Sequence, residues 1–348
     1  MAAGQQRIIG ADVLRLLSML MVCVLHVNIR LSIMDEFPNY LYETVCIQAV
    51  NLFAMLTGYF YVEARWKIRR YVNLWFQVAF YAVGLTLLGC TLKHFGVLTE
   101  YQPEIWNILL PVPFASGYWY FTSYTAVFLL IPFHNRLIKG LKREELRVLL
   151  LVAVPVFSLM TCFNGSSCVY QNGYNAAWLS ALYVMGAYMR MYPLKWGRAA
   201  TCLVLTCSLA IQTILYVTRT PLAMSVLGYV FPLVVLSSVC MFHLCVGMSI
   251  KSHKMVRVVT YLAPLAFGVY LVHIHQFSWL VLQRVLGLLH HYVGDVWWCV
   301  PVMGIGIFAG CLFVDWCRAR LFFLLRVSAW ADRLAAACPA WLKDMEKM

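Results

Sequence analysis

The sequence is poor in charge, and poorer still in acid. Charged residues make up 12% of its 348 positions, with 14 Asp and Glu against 27 Lys and Arg. Soluble domains average about 25% charged residues, so the chain does not read as one. It also lacks internal repeats, low-complexity linkers and any loop long enough to form a separate soluble domain, which argues for one folding unit. No CxxC, HExxH or Cys/His ligand spacing is present, which disfavours a zinc site and predicts no metal. No GxSxG elbow is present either, which disfavours a serine hydrolase. The thirteen cysteines fall mostly inside apolar runs and read as small buried hydrophobes. Cys162 and Cys168 alone flank a short loop that a disulfide would close. A cleavable signal peptide is not expected, because the first apolar stretch is too long, carries internal charge and lacks a small-residue cleavage site.

What is there is hydrophobic. Apolar residues are 63% of the chain, and mean hydropathy is +0.76, values of a chain whose solvent is mostly lipid. The net charge of +13 would suit nucleic acid. The basic residues, however, lie between apolar runs and form no continuous stripe, so no nucleic-acid partner is expected.

Apolar runs near the crossing length of about 20 residues predict ten spans, at 8–29, 43–62, 71–92, 119–138, 146–162, 174–192, 199–217, 223–247, 257–283 and 296–314. The fifth is short, and the ninth is long enough to tilt or break. Assigning flanks alternately to the two sides puts 22 Lys and Arg on one side and four on the other, with Arg15 inside the first span. Because cytoplasmic flanks carry the excess of basic residues, the expected fold is an all-α integral membrane protein of about ten helices with both termini cytoplasmic. Residues 1–348 then form a single polytopic domain, with 318–348 a basic cytoplasmic tail. Trp330, Leu334 and Trp341 in that tail suit a helix lying on the membrane surface. Between Thr91 and Tyr118, an apolar stretch with Pro111 and Pro113 suggests an interfacial or re-entrant piece.

Titratable residues inside a span are costly, and are functional candidates for that reason. The first span carries Asp12, Arg15, His26 and Asn28. Eleven residues separate Arg15 from His26, which is roughly 20° after whole turns and about 16 Å along the axis, so both lie on one helix face. A structural reading stands beside the functional one: Arg15 snorkels to the headgroups and His26 caps a helix contact. After the second span, Lys67, Arg69 and Arg70 read either as a positive-inside stop signal or as an anion site suited to phosphate. The second span also holds Glu43, Gln48, Asn51 and Thr57. Trp119 and Tyr120 open the fourth span, where aromatic interface belts occur. His273 and His275 in the ninth span lie at about the depth of His26, a convergence that points to a polar cavity.

Taken together, Arg15-x10-His26, NLFAMLTGYFYVEARWKIRRY, SGYWYFTSYTAVFLLIP and FGVYLVH resemble the integral-membrane acyltransferase-3 family, which includes bacterial O-acetyltransferases of surface polysaccharides. The resemblance covers most of the chain. It implies His26 as the catalytic residue, and Arg15 with Lys67, Arg69 and Arg70 as the donor-binding group. Asp12 is placed to orient Arg15 from three residues away, and Trp119, Tyr120, Tyr270 and His273 are candidates for the acceptor side. The family's SGY element reads Thr57-Gly58-Tyr59 here, and its paired arginines are matched in spacing by Lys67 and Arg70. No SGNH-type domain follows the spans, so the likeness is to stand-alone members. The implied reaction moves an acyl group, expected to be acetyl, from cytoplasmic acyl-CoA to a hydroxyl of a cell-envelope or lipid-linked glycan. Acyl-CoA would serve as a substrate, with no tightly bound cofactor. The implied setting is the bacterial inner membrane, with membrane lipids and a second copy of the chain as further partners. The rival class is a transporter or flippase, although paired Gly/Pro-broken spans are missing; a non-catalytic scaffold is a third reading.

Overall fold

The structure is a computed structural model that describes residues 7–31, 37–104, 117–164, 171–219, 226–293 and 297–347. Among these residues every regular element is helical. In chain order the α-helices are α1 (Ile9–Leu31), α2 (Phe37–Cys46), α3 (Ala49–Tyr61), α4 (Ile68–His94), α5 (Trp119–Gly140), α6 (Arg143–Asn164), α7 (Ala176–Met191), α8 (Arg198–Val217), α9 (Pro232–Val246), α10 (His253–Leu262), α11 (Ala266–Ile274), α12 (Gln276–Val293), α13 (Cys299–Leu324), α14 (Val327–Ala337) and α15 (Ala340–Met345). Among the described residues six segments are long and apolar enough to cross a membrane, Ile9–Ile29, Phe37–Tyr61, Ile68–His94, Arg198–Val217, His253–Ile274 and Cys299–Leu324, whereas the helices at the expected fourth, fifth, sixth and eighth spans are not among them. The Cys162–Cys168 bridge and the Pro111/Pro113 piece fall outside the described residues.

The first span is the hub. α1 packs against α2, α3, α9, α10, α11, α12 and α13, which explains an apolar surface that runs nearly all round it. Two glycines set the closest approaches. A Cβ on Gly58 would lie 1.8 Å from the Tyr183 carbonyl oxygen, and one on Gly186 would lie 1.9 Å from that of Met55. α3 and α7 therefore meet backbone to backbone, the contact that small residues permit between membrane helices.

The polar residues of the second span act largely as glue. Thr44 Oγ1 lies 2.8 Å from Thr213 Oγ1, and Ser238 donates to Gln48 Oε1 at 2.8 Å. Ser237 donates to Ser208 at 2.9 Å, so these bonds tie together α2, α8 and α9. Asn51 donates to the Tyr229 carbonyl and accepts from Trp178 Nε1. Such bonds contribute about 0.6–2 kcal/mol each between helices in lipid. A second knot lies on α13. Fully buried Asp315 accepts from Gln77 and Tyr81 of α4, and Arg318 grips both its oxygens at 2.8 and 2.9 Å.

Two expected spans have different limits. In the eighth, expected as 223–247, residues 223–225 lie outside the described residues and α9 begins at Pro232, since proline favours the first helical turn, where its missing N–H costs nothing. The ninth, expected as 257–283, is broken. His275 has extended backbone (ψ 136°), and its Nδ1 accepts the Phe277 N–H at 3.2 Å, ending α11 and capping α12. α12 then packs on the far end of α4, where Arg284 pairs with Glu100 and donates to the Val97 carbonyl. The tail is also more than a surface helix. α14 packs against α4 with Ala331 fully buried, while Trp330, Leu334 and Trp341 stay exposed.

Candidate active site

Two cavities lie along α1. At its N-terminal end, a basin of about 840 Å³ is lined by Arg7, Arg15, Arg65, Lys67, Arg70 and Arg190, with Asp12 and Glu63 as its acids. That is a formal surplus of four positive charges. Asp12 is the hinge of the cluster: its carboxylate receives Arg7 at 2.5 Å and Arg15 at 3.1 Å. Arg7 also donates to the Thr260 carbonyl at 3.0 Å, which pins the start of α1 to α10. Arg15 stands 5.8 Å from the centre of the Phe60 ring, and Arg70 stands 5.4 Å from that of Tyr61. Such cation–π contacts hold a guanidinium in place while leaving its donor edge usable. Lys67 and Arg65 come from the short turn between α3 and α4, and Arg70 from the first turn of α4.

Arg69 is not in the basin. Both its donors reach Asp332 of α14, so of the three clustered cations only Lys67 and Arg70 line the cavity. Arg190, by contrast, is a lining residue that sequence reading counted only as a topological charge. It bonds Glu63 at 2.6 Å and Tyr59 at 3.3 Å. Its arrival depends on the contacts of Gly58 with Tyr183 and of Gly186 with Met55, which bring α7 close beside α3.

Further along α1, a small apolar pocket of about 60 Å³ includes His26, Val22, Phe53, Trp119, Tyr120, Tyr229 and Tyr270 in its lining. The expected acceptor-side aromatics are therefore brought together around the histidine. Trp119 stacks on Tyr229 and abuts Tyr174, with ring centres 5.9 and 4.6 Å apart. Tyr120 meets Phe53 on one side and Tyr270 on the other. The Tyr270 hydroxyl is buried and has no hydrogen-bond partner among the described residues.

His273 stands behind His26 rather than in the pocket wall. It is buried; its Nδ1 lies 2.6 Å from the Val269 carbonyl, and its Nε2 lies 3.1 Å from His26 Nδ1. A carbonyl only accepts, so His273 Nδ1 must carry a proton. In a neutral ring its Nε2 is then the acceptor, and His26 Nδ1–H must donate to it. The chain of contacts thus selects one tautomer of His26, with the lone pair on Nε2. That is the form a general base or nucleophile requires. Trp279 of α12 presents its ring edge-on to His26, with centres 6.0 Å apart. Sequence reading missed it because residues 276–283 had been placed in the end of a continuous span. His275 joins neither cavity, and its Nε2 lies 3.2 Å from Thr86 Oγ1.

One helix, α1, thus joins a cation-lined basin to an apolar pocket with an oriented histidine. A model of the acyltransferase-3 family, described as an acyltransferase domain, matches residues 8–316. The chain belongs to this family of integral-membrane acyltransferases. No curated protein and no solved structure matches it. Apart from Arg7, the residues that line both cavities of the acyltransferase lie within the matched residues, so basin and pocket belong to the matched domain rather than to the tail. Among the described residues no cluster of three or more His, Cys, Asp or Glu has metal-holding geometry.

Proposed function

We propose that this acyltransferase moves an acyl group, acetyl by preference, from cytoplasmic acyl-CoA to a hydroxyl of a cell-envelope or lipid-linked glycan. The observation that carries the reading is the axis of α1. Arg15 in the cationic basin and His26 in the apolar pocket share one face of a single unbroken helix, about 16 Å apart by helix rise. A donor with phosphates at one end and a thioester at the other, joined by an extended arm, fits that polarity. The charge asymmetry of the loops supports ten spans with both termini cytoplasmic, which puts the basin on the side where acyl-CoA is made. A bacterial inner membrane is the setting this implies.

In this reading Arg15, Lys67, Arg70 and Arg190 hold the donor phosphates, and Asp12 keeps Arg15 and Arg7 from repelling each other out of position. The thiol arm runs up the shared face of α1 to the pocket. His26 Nε2 takes the proton of the acceptor hydroxyl while the oxygen attacks the thioester carbonyl. The tetrahedral oxyanion collapses, the C–S bond breaks, and the departing thiolate recovers the proton from His26. His273 is a positioning residue that holds the working tautomer. The Tyr270 hydroxyl, which lines the pocket, is a candidate donor to the oxyanion. Trp119 and Tyr120 form the apolar and aromatic walls against which a sugar ring can lie.

Purified protein, acyl-labelled coenzyme A and a glycan extract test the scheme. Replacing His26 with alanine is expected to lower transfer by at least about 100-fold, the usual scale of general acid–base catalysis. Arg15→Ala is expected to raise the KM for the donor. Transfer by His26→Ala at the wild-type rate would reject the mechanism.

A further inference from the structure

Beside the basin lies a second cavity of about 480 Å³ whose walls include Arg65, Trp66, Pro132, Lys139, Met345 and Lys347. It shares Glu63, Ala64 and Arg65 with the basin, so the two are separated only by the turn between α3 and α4. One wall belongs to the C-terminal tail, which lies beyond the matched residues 8–316. That tail is fastened at two points. Arg69 forks onto Asp332, and Glu346 Oε1 accepts the Ile68 N–H at 3.0 Å, capping the start of α4. The fastening sets three residues of the tail, Met345 to Lys347, against the end of α5.

The charges of this cavity are not balanced as they first look. Glu63 is engaged by Arg190 at 2.6 Å, and Glu346 by the Ile68 amide. Lys347 shares Asp344 at 2.7 Å, a pair that is exposed and easily opened. Arg65 and Lys139 remain as exposed cations in its lining, which also includes Pro132 and Met345 as apolar residues. The volume lies within the range of about 300–1,000 Å³ usual for small-molecule sites. Cations and apolar residues in one cavity, one turn away from a cation-lined basin, suit a nucleoside phosphate.

We propose that the C-terminal tail completes a subsite for the nucleotide end of the donor, with Arg65, Lys139 and Lys347 receiving its ribose phosphate and Pro132 and Met345 lining the base. This rests on the acyl-CoA reading given above. The tail is then a wall of the donor site rather than an anchor alone.

The experiment compares two donors on the full-length protein: acyl-CoA, and acyl-phosphopantetheine, which lacks the nucleotide. The double variant Lys139→Ala/Lys347→Ala is expected to raise the KM for acyl-CoA about tenfold and to leave that for acyl-phosphopantetheine within twofold. Equal changes for both donors, or none for either, would overturn the proposal. A second measurement does not depend on transfer. Calorimetric binding of the nucleoside bisphosphate that forms the distal end of coenzyme A should weaken about tenfold in the same variant, and again in a chain ending at residue 325. Failure of the wild type to bind it, or equal binding by wild type and variants, would overturn the subsite; so would displacement of the bisphosphate by anionic lipid vesicles but not by free coenzyme A. Binding that is lost in the variants, with no acyl transfer from any acyl-CoA by the wild type, would instead remove the donor assignment and keep the nucleotide site.

Discussion

Replacing His273 by leucine removes the ring nitrogen that lies 3.1 Å from His26 Nδ1 and accepts its N–H, without touching the pocket wall. The change leaves a buried donor to find another partner, and an unsatisfied buried group of this kind costs about 1–3 kcal/mol. If that cost falls on holding the Nε2 lone pair towards the substrate, then at 1.36 kcal/mol per decade kcat falls roughly 5- to 150-fold. The KM for the donor should not move, because the basin is about 16 Å away by helix rise. Leucine also leaves the Val269 carbonyl without its partner at 2.6 Å, so the thermal midpoint is measured alongside and a modest drop is expected. The conservative variant separates positioning from packing. His273→Gln offers an amide oxygen to His26 and should recover kcat to within about threefold of wild type. The assay is initial-rate transfer from labelled acyl-CoA with the acceptor saturating. Equal losses in the leucine and glutamine variants, or a wild-type kcat in the leucine variant, would refute the tautomer argument.

Three other outcomes follow from named contacts. Gly58→Ala places a methyl group 1.8 Å from a backbone oxygen and should destabilise the fold by about 1–3 kcal/mol, whereas Gly84→Ala, with open space around it, should leave the thermal midpoint unchanged. Asp315→Ala strips the carboxylate from a nearly buried arginine and two further donors. It is expected to cost about 3–5 kcal/mol, read as a lower unfolding midpoint in detergent, and a wild-type midpoint would show the knot to be dispensable. Asp12→Asn leaves Arg7 and Arg15 without their shared counter-charge; donor KM should rise about tenfold with kcat nearly unchanged, and an unaltered KM would exclude Asp12 from donor binding.

The parts of this molecule that were legible in the sequence follow from single-helix geometry. Arg15 and His26 share a face because the helix repeat requires it, and α1 runs unbroken through both. His273 was placed by depth alone, and the structure brings it to His26. The misses have a common physical source, which is that they depend on contacts between helices. The length of the ninth span allowed a break, and His273, His275 and Gln276 interrupt its apolar run, but neither feature says which residue ends the helix. The break comes from a side chain capping the next helix and from the Arg284–Glu100 pair beyond it. Pro232 was a readable start signal that a purely apolar window passed over. Arg190 could not be separated from the other basic flanks, because its place in the basin depends on two glycines 128 residues apart in sequence, Gly58 and Gly186. Arg69 sat in the right cluster but turns to Asp332, a partner 263 positions away.

The central claim is a polarity along one helix, with donor phosphates bound at the N-terminal end of α1 and acyl chemistry at His26. Sealed vesicles of known orientation test it most directly, because acyl-CoA does not cross a bilayer unaided. With labelled acyl-CoA added outside, inside-out vesicles should pass label to the acceptor glycan, and right-side-out vesicles should do so only after permeabilisation. Inside-out vesicles carrying His26→Ala should stay at background. Equal labelling by intact right-side-out vesicles, or wild-type labelling by the His26→Ala vesicles, would contradict the account.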